Sequence, residues 1–286
     1  MSRIAYVNGR YVPHAEASVH IEDRGYQFAD GIYEVVALRN GKYCDKQGHL
    51  DRLDRSLAEL RIKPPVGRAA LEIIMDEIAR RNGVRDGLVY MQVTRGVYPR
   101  NHPFPPDHVK SALVITAKRA VAQDPEKTAK GVAVISVPDM RWPRRDIKSV
   151  SLLPNILAKQ EAREAGAYEA WQVDNDGFVT EGSSTNAWIV TKDNELVTRP
   201  ATHDILRGIT RETLLGLARA RGLKLVERAF TVEEAYDAKE AFITSASSYV
   251  MPVVRINDRS VGNGAPGEVT LSLVDGYLGS LAEPAA

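Results

Sequence analysis

Four short stretches of the sequence hold residue types that could do chemistry. Lys148, in Arg145-Asp146-Ile147-Lys148-Ser149-Val150, stands between Ile147 and Val150 just ahead of an apolar helix pattern. Burial beside apolar groups lowers a lysine's pKa and supplies the free amine needed to attack a carbonyl and form an imine. Lys159, by contrast, falls in the polar run Lys159-Gln160-Glu161. Glu181 opens Glu181-Gly182-Ser183-Ser184-Thr185-Asn186 at a strand end, and a glutamate buried there needs a cationic partner or strong donors, such as a pyridinium N–H. In Leu206-Arg207-Gly208-Ile209-Thr210, Gly208 permits close backbone approach. Thr210 is placed there as the N-cap of the next helix, whose free N–H groups and dipole favour a phosphate. The fourth stretch, Ile243-Thr244-Ser245-Ala246-Ser247-Ser248, offers further small donors at a strand end. Taken singly, each has a plainer explanation: a surface lysine, a solvated turn, a helix cap that binds nothing, and another turn.

The elements that must position these residues follow from hydrophobic spacing and turn chemistry. Ile4 to Val12 carries apolar runs on either side of Asn8-Gly9, which predicts a hairpin. Leu71, Ile74, Met75 and Ile78 recur at helical spacing and stop at Asn82-Gly83, where a left-handed cap fits. Strands are expected at Leu88–Val93 and Ala112–Thr116, with the Pro-rich loop Val97 to Pro106 between them. Around Arg119 to Lys130 the periodicity fades, which suggests a linker between two domains, 1–120 and 121–286. Beyond it come a strand at Val132–Val137, a helix from about Leu152 to Ala165 closed by Gly166, and a strand at Tyr168–Val173. The turn Asp174-Asn175-Asp176-Gly177 leads to strands near Phe178–Thr180 and Ala187–Val190. Two further helices are expected, Arg211 to Arg221 and Val232 to Ala238, the second behind a Thr231/Glu234 capping box. Helices and strands mix without βαβ alternation, so the fold class is α+β in two unlike domains, the second and larger one carrying Lys148.

Bulk properties exclude several function classes. With 286 residues and 44% hydrophobic side chains the chain can bury a sizeable core. Its 38 basic and 37 acidic residues are interspersed, which leaves no footprint for nucleic acid. No run of roughly 18 apolar residues occurs, so no membrane span or export signal is expected. The lone Cys44 excludes an intrachain disulfide and suits the cytoplasm; it is expected on a half-buried strand. His14, His20, His49, His108 and His203 form no ligand spacing, and no metal is assigned.

In this order the motifs resemble the class IV, fold-type IV pyridoxal 5′-phosphate (PLP) enzymes, which include D-amino acid aminotransferases, branched-chain aminotransferases and aminodeoxychorismate lyase. The resemblance rests on Glu22 to Glu34 (Glu22-Asp23-Arg24-Gly25-Tyr26-Gln27-Phe28-Ala29-Asp30-Gly31-Ile32-Tyr33-Glu34), His49-Leu50-Asp51-Arg52-Leu53, Asp146-Ile147-Lys148-Ser149, Asn155 to Ala162 and Glu181 to Asn186. It implies that Lys148 forms the Schiff base and that Glu181 pairs with the pyridine nitrogen. The phosphate would be held by Arg52, Ile209, Thr210, Ser245 and Ala246, with Ile209 and Ala246 acting through N–H groups. Leu206 would lie against the cofactor ring, Tyr33 would line the substrate side, and the cofactor would sit at the domain interface. Ala246 replaces a hydroxyl residue found in some relatives, leaving only its N–H for the phosphate. Arg100 and His102 resemble the Arg-x-His carboxylate trap of bacterial D-amino acid aminotransferases, and in such relatives this loop reaches the neighbouring active site of a homodimer. The implied reaction moves an amino group from D-alanine to 2-oxoglutarate. A branched-chain L-amino acid aminotransferase, an (R)-amine transaminase, a lyase and a non-enzymatic phosphate-ligand binding protein remain as alternatives.

Overall fold

A computed structural model describes residues 3–120 and 123–281. The chain divides into two compact units, Met1–Ala122 with Ile147–Ser151, and Gln123–Asp146 with Leu152–Ala286. The first contains β1 (Ile4–Val7), β2 (Arg10–Pro13), α1 (Arg24–Phe28), β3 (Gly31–Arg39), β4 (Lys42–Tyr43), α2 (Lys46–Glu59), α3 (Arg68–Arg81), β5 (Gly87–Thr94) and β6 (Ala112–Arg119). Its strands form one antiparallel sheet in the order β2-β1-β6-β5-β3-β4. Asn8 and Gly9, with φ of 45° and 93°, make the tight turn expected between β1 and β2. Leu71, Met75 and Ile78 of α3 join Leu50, Leu53 and Leu57 of α2 against Val36, Val89 and Ile115 of the sheet, and that burial holds both helices in place.

The second unit contains α4 (Pro125–Lys130), β7 (Val132–Pro138), α5 (Leu153–Glu164), β8 (Glu169–Val173), β9 (Val179–Gly182), β10 (Asn186–Val190), β11 (Glu195–Thr198), α6 (Ile209–Ala220), β12 (Lys224–Glu227), α7 (Val232–Asp237), β13 (Glu240–Ser245), β14 (Tyr249–Ile256), β15 (Arg259–Ser260) and α8 (Glu268–Ser280). Its mixed sheet runs β12-β11-β10-β13-β14-β7-β8-β9, with β15 on β14. Trp171, Ile189, Phe230, Ile243 and Val253 fill the core beside it.

Several expectations change. The supposed linker is largely structured: β6 runs on to Arg119, and the Asp124 side chain caps α4 by accepting the Glu126 and Lys127 N–H groups. Residues 121 and 122 of it lie outside the described residues. Lys148 belongs to the first unit, because Ile147–Ser151 returns to pair with β3. Cys44 follows β4 instead of lying within a strand, and is buried. The α1, α2 and α8 helices go beyond the elements expected from the sequence.

Candidate active site

In the first unit the lysine is positioned by backbone pairing. The Tyr33 N–H donates to the Lys148 carbonyl at 3.0 Å, the Val150 N–H to the Gly31 carbonyl at 3.0 Å, and Ile32 bridges to Ser149. A side chain at Gly31 would strike the Val93 carbonyl at 2.7 Å, so glycine lets the chain pass there. Residues 115 apart in sequence thereby meet: Lys148 Nζ donates to the Tyr33 hydroxyl at 3.3 Å and sits 4.3 Å from the centre of its ring. Behind Tyr33 lies Tyr90, whose phenol donates to Gln92 at 2.6 Å and is pushed up to about 12 by burial and then by Tyr33, keeping it neutral at physiological pH. Lys159 is engaged elsewhere, on the Tyr168 carbonyl at 2.5 Å.

Arg52 is buried on α2 and grips Glu34 with a fork, Nε to Oε1 at 2.7 Å and Nη2 to Oε2 at 2.9 Å. His49, one turn earlier, meets Glu34 Oε2 at 2.9 Å. Burial alone would raise the Glu34 carboxyl, but the Arg52 charge and the His49 hydrogen bond hold it far below the usual range. The Glu34 carboxylate is a partner of Arg52 that only the fold supplies. The three-residue spacing of His49 and Arg52, which puts both on one helix face, was the available signal.

In the second unit Glu181 is almost fully buried on β9. Its carboxylate accepts from Arg141 Nη1, from Asn186 Nδ2 at 2.9 Å, and from the Leu206 N–H at 3.2 and 3.1 Å. Arg141 also donates to Asp139 at 2.8 Å and to the Thr180 hydroxyl at 3.2 Å. Burial pushes the Glu181 carboxyl above its ordinary value, with Arg141 and the Leu206 N–H pulling the other way. Nothing local in the sequence marks Arg141 or Asp139, since the Glu181 and Thr180 side chains they respectively reach lie some 40 residues along the chain.

Asn186 knits this carboxylate to the next element by donating also to the Leu206 carbonyl at 2.9 Å. The α6 helix starts at Ile209 with Gly208 as its N-cap, not Thr210 as expected. Glycine is required because an added Cβ would sit 2.0 Å from Asn186 Oδ1. Thr210 therefore falls inside the first turn, buried, and its hydroxyl has no partner. An unpaired buried hydroxyl costs about 1–3 kcal/mol unless an acceptor or donor reaches it. The antiparallel match of Asn186 with Thr244 brings the Ser245-Ala246 turn to the same end of the sheet. There the Ser245 hydroxyl accepts the Ser248 N–H at 3.1 Å. Glu181, Leu206, Ile209, Thr210, Ser245 and Ala246 thus all belong to one unit, and a helix N-terminus with an orphaned hydroxyl suits a phosphate.

Arg100 and His102 lie exposed on the Val97–Pro106 loop. The Arg100 guanidinium lies 4.5 Å from the centre of the Phe28 ring, and the His102 ring 5.5 Å from it. The first unit thus carries Lys148, Tyr33, Arg52, Arg100 and His102, and the second carries the remainder.

Solved structures share this architecture. An Escherichia coli branched-chain amino acid aminotransferase superposes with a TM-score of 0.89 at 23% identity, over 98% of this chain and 94% of that one. A branched-chain aminotransferase from the archaeon Thermoproteus uzoniensis, solved with norvaline, does so with a TM-score of 0.86 at 26% identity, over 98% and 95%. The fold is that of the fold-type IV aminotransferases, as the motifs implied. The amino-transferase class IV pattern matches residues 31–256, and the chain belongs to that family. It is 44% identical over 264 residues to a D-alanine aminotransferase of Bacillus licheniformis, covering 92% of each chain. It is 40% identical over 268 residues to one from Listeria monocytogenes serotype 4b, covering 93% and 92%.

Proposed function

We propose that the chain is a PLP-dependent aminotransferase that moves an amino group from D-alanine and related D-amino acids to 2-oxo acids such as 2-oxoglutarate. The observation that carries the cofactor reading is the buried Glu181 carboxylate, tied through Asn186 to a helix N-terminus whose Thr210 hydroxyl lacks a partner. In this reading Glu181 would pair with the ring nitrogen and keep it protonated. Ile209, Thr210, Ser245 and Ala246, with Arg52, would hold the phosphate, and Leu206 would face the ring. When bound, PLP supplies an electron sink for the electrons left on a substrate Cα as it loses its proton. Lys148 Nζ moves that proton, and the Tyr33 hydroxyl at 3.3 Å orients the amine while lining the substrate side. Arg100 grips the α-carboxylate with a bidentate fork and His102 adds a donor, which fixes the face presented to Lys148. The exposure of Arg100 and His102 supports their service to a neighbouring subunit in a homodimer. The balanced charge and single buried cysteine suit a cytoplasmic enzyme.

A coupled assay comparing D-alanine with L-leucine as donor to 2-oxoglutarate tests the substrate reading. D-Alanine is expected to be the better donor. The opposite result favours branched-chain L-amino acid transamination, the activity named for the solved structures of like fold. Borohydride reduction is expected to leave cofactor mass on the peptide holding Lys148 and none in Lys148→Ala. An adduct elsewhere overturns the assignment.

A further inference from the structure

We propose that Arg24 and Phe28 are positioning residues that fix the loop bearing Arg100 and His102, and so set the affinity for carboxylate substrates. The proposal rests on reading that loop as the carboxylate site. Arg24 is buried, with 3% of its surface exposed, yet it does not commit its guanidinium to a carboxylate fork. Only Nε reaches Asp30, at 2.8 Å. Nη1 donates to the carbonyls of Asn101 at 2.6 Å and Pro103 at 3.3 Å, and Nη2 to the carbonyl of His102 at 3.2 Å. Three consecutive carbonyls that bracket His102 thus converge on one charged fork.

Carbonyls of an exposed loop satisfy themselves with water, so a buried guanidinium is not needed to solvate them. Its effect is geometric, because several charge-assisted bonds from one rigid plane fix position and orientation together. Asp30 completes the clasp: it also accepts Arg95 Nε at 2.7 Å, and the Arg95 guanidinium lies 3.7 Å from the centre of the Phe104 ring farther along the loop. Burial alone would raise the Asp30 carboxyl, but Arg95 and Arg24 hold it below its usual value. Phe28 acts on the side chains. Both guanidiniums lie over its ring, Arg24 at 4.8 Å and Arg100 at 4.5 Å, and the His102 ring packs tilted beside it. Ala29, in the left-handed region with φ of 55°, ends α1 there and turns the chain so that Asp30 comes back to Arg24.

The test compares holoenzyme variants Arg24→Met, Arg24→Lys, Phe28→Leu, Phe28→Tyr and Arg100→Ala by steady-state kinetics with D-alanine and by calorimetric binding of propionate, an unreactive carboxylate. Arg24→Met and Phe28→Leu are expected to raise KM for D-alanine and weaken propionate by about tenfold or more with kcat changed less than about threefold, the signature of a misplaced binding group. Phe28→Tyr keeps the aromatic face and should behave as wild type, which a general loss of folding would not allow. If Arg24→Met fails to fold, Arg24→Lys, which keeps the charge but not the fork, carries the same expectation. Unchanged propionate binding in Arg24→Met and Phe28→Leu, with Arg100→Ala impaired, overturns the proposal while leaving the carboxylate site in place. Normal binding in Arg100→Ala overturns the reading of the loop itself.

Discussion

Replacing Arg141 by leucine should expose how much the Glu181 carboxylate depends on its guanidinium. Both side chains are buried, at 7% and 6% exposure, and Arg141 also pairs with Asp139. Removing one partner of a buried ion pair costs roughly 3–5 kcal/mol, because the other charge is stranded. Here the loss falls toward the lower end. Glu181 keeps the Asn186 amide and Leu206 N–H, and Asp139 keeps Arg145 at 3.2 Å and the Thr180 hydroxyl at 2.7 Å. We expect about 3 kcal/mol, or a fall of about 6–12 °C in Tm for a unit of this size. The three tryptophans, Trp142, Trp171 and Trp188, all belong to the second unit, so tryptophan fluorescence during urea unfolding of cofactor-free protein reports on that unit. The double variant Arg141→Leu/Glu181→Gln removes the stranded charge and should recover about half of the loss. A single-variant loss below about 1 kcal/mol, or no recovery in the double variant, would refute the reasoning.

Thr210→Val removes a buried hydroxyl without a partner and should leave cofactor-free stability equal or higher by up to about 1 kcal/mol, while PLP affinity falls about tenfold. Fluorescence titration with PLP alongside urea unfolding checks both signs, and lost stability with unchanged affinity contradicts the phosphate role. Gly208→Ala forces a methyl against Asn186 and should weaken PLP about tenfold by disturbing the Glu181 network, a result that reconstitution titration measures. Because the folded Glu34 carboxyl lies below its unfolded value of about 4.3, it contributes stability above that pH, which is lost as pH falls further. Glu34→Gln should therefore be less stable at pH 7 yet show a flatter acid limb below about pH 4.3 by circular dichroism, and parallel curves would contradict it.

Local signals were legible and distant ones were not. The Asn8-Gly9 hairpin and α3 follow from turn chemistry and spacing within a dozen residues, and both stand where the sequence put them. The strand β3 was not anticipated as such: its burial alternates imperfectly, with Val36, Ala37 and Leu38 all buried, so no clean two-residue period shows. Helix α8 runs unbroken through Gly276 and Gly279, whose low helix propensity weakens the helical signal in the sequence. Thr210 has the side chain of a good cap, but the tight approach of Asn186 selects glycine two residues earlier. The site motifs were legible because their residue types and order resemble a family. Their supporting partners were not, since Arg24 with Asn101, Glu34 with Arg52 and Arg141 with Glu181 are joined only by folding.

The return of Ile147–Ser151 to the first unit means that the chain passes between the units three times, not once. A chimaera of two such enzymes joined by a single crossover near residue 122 would therefore not exchange intact modules. Lys148 would arrive with the incoming second unit's gene segment but would have to dock on the β3 of the resident first unit, against Gly31 and Tyr33. Recombinants that preserve the lysine's setting need two further junctions, one on each side of this five-residue strap.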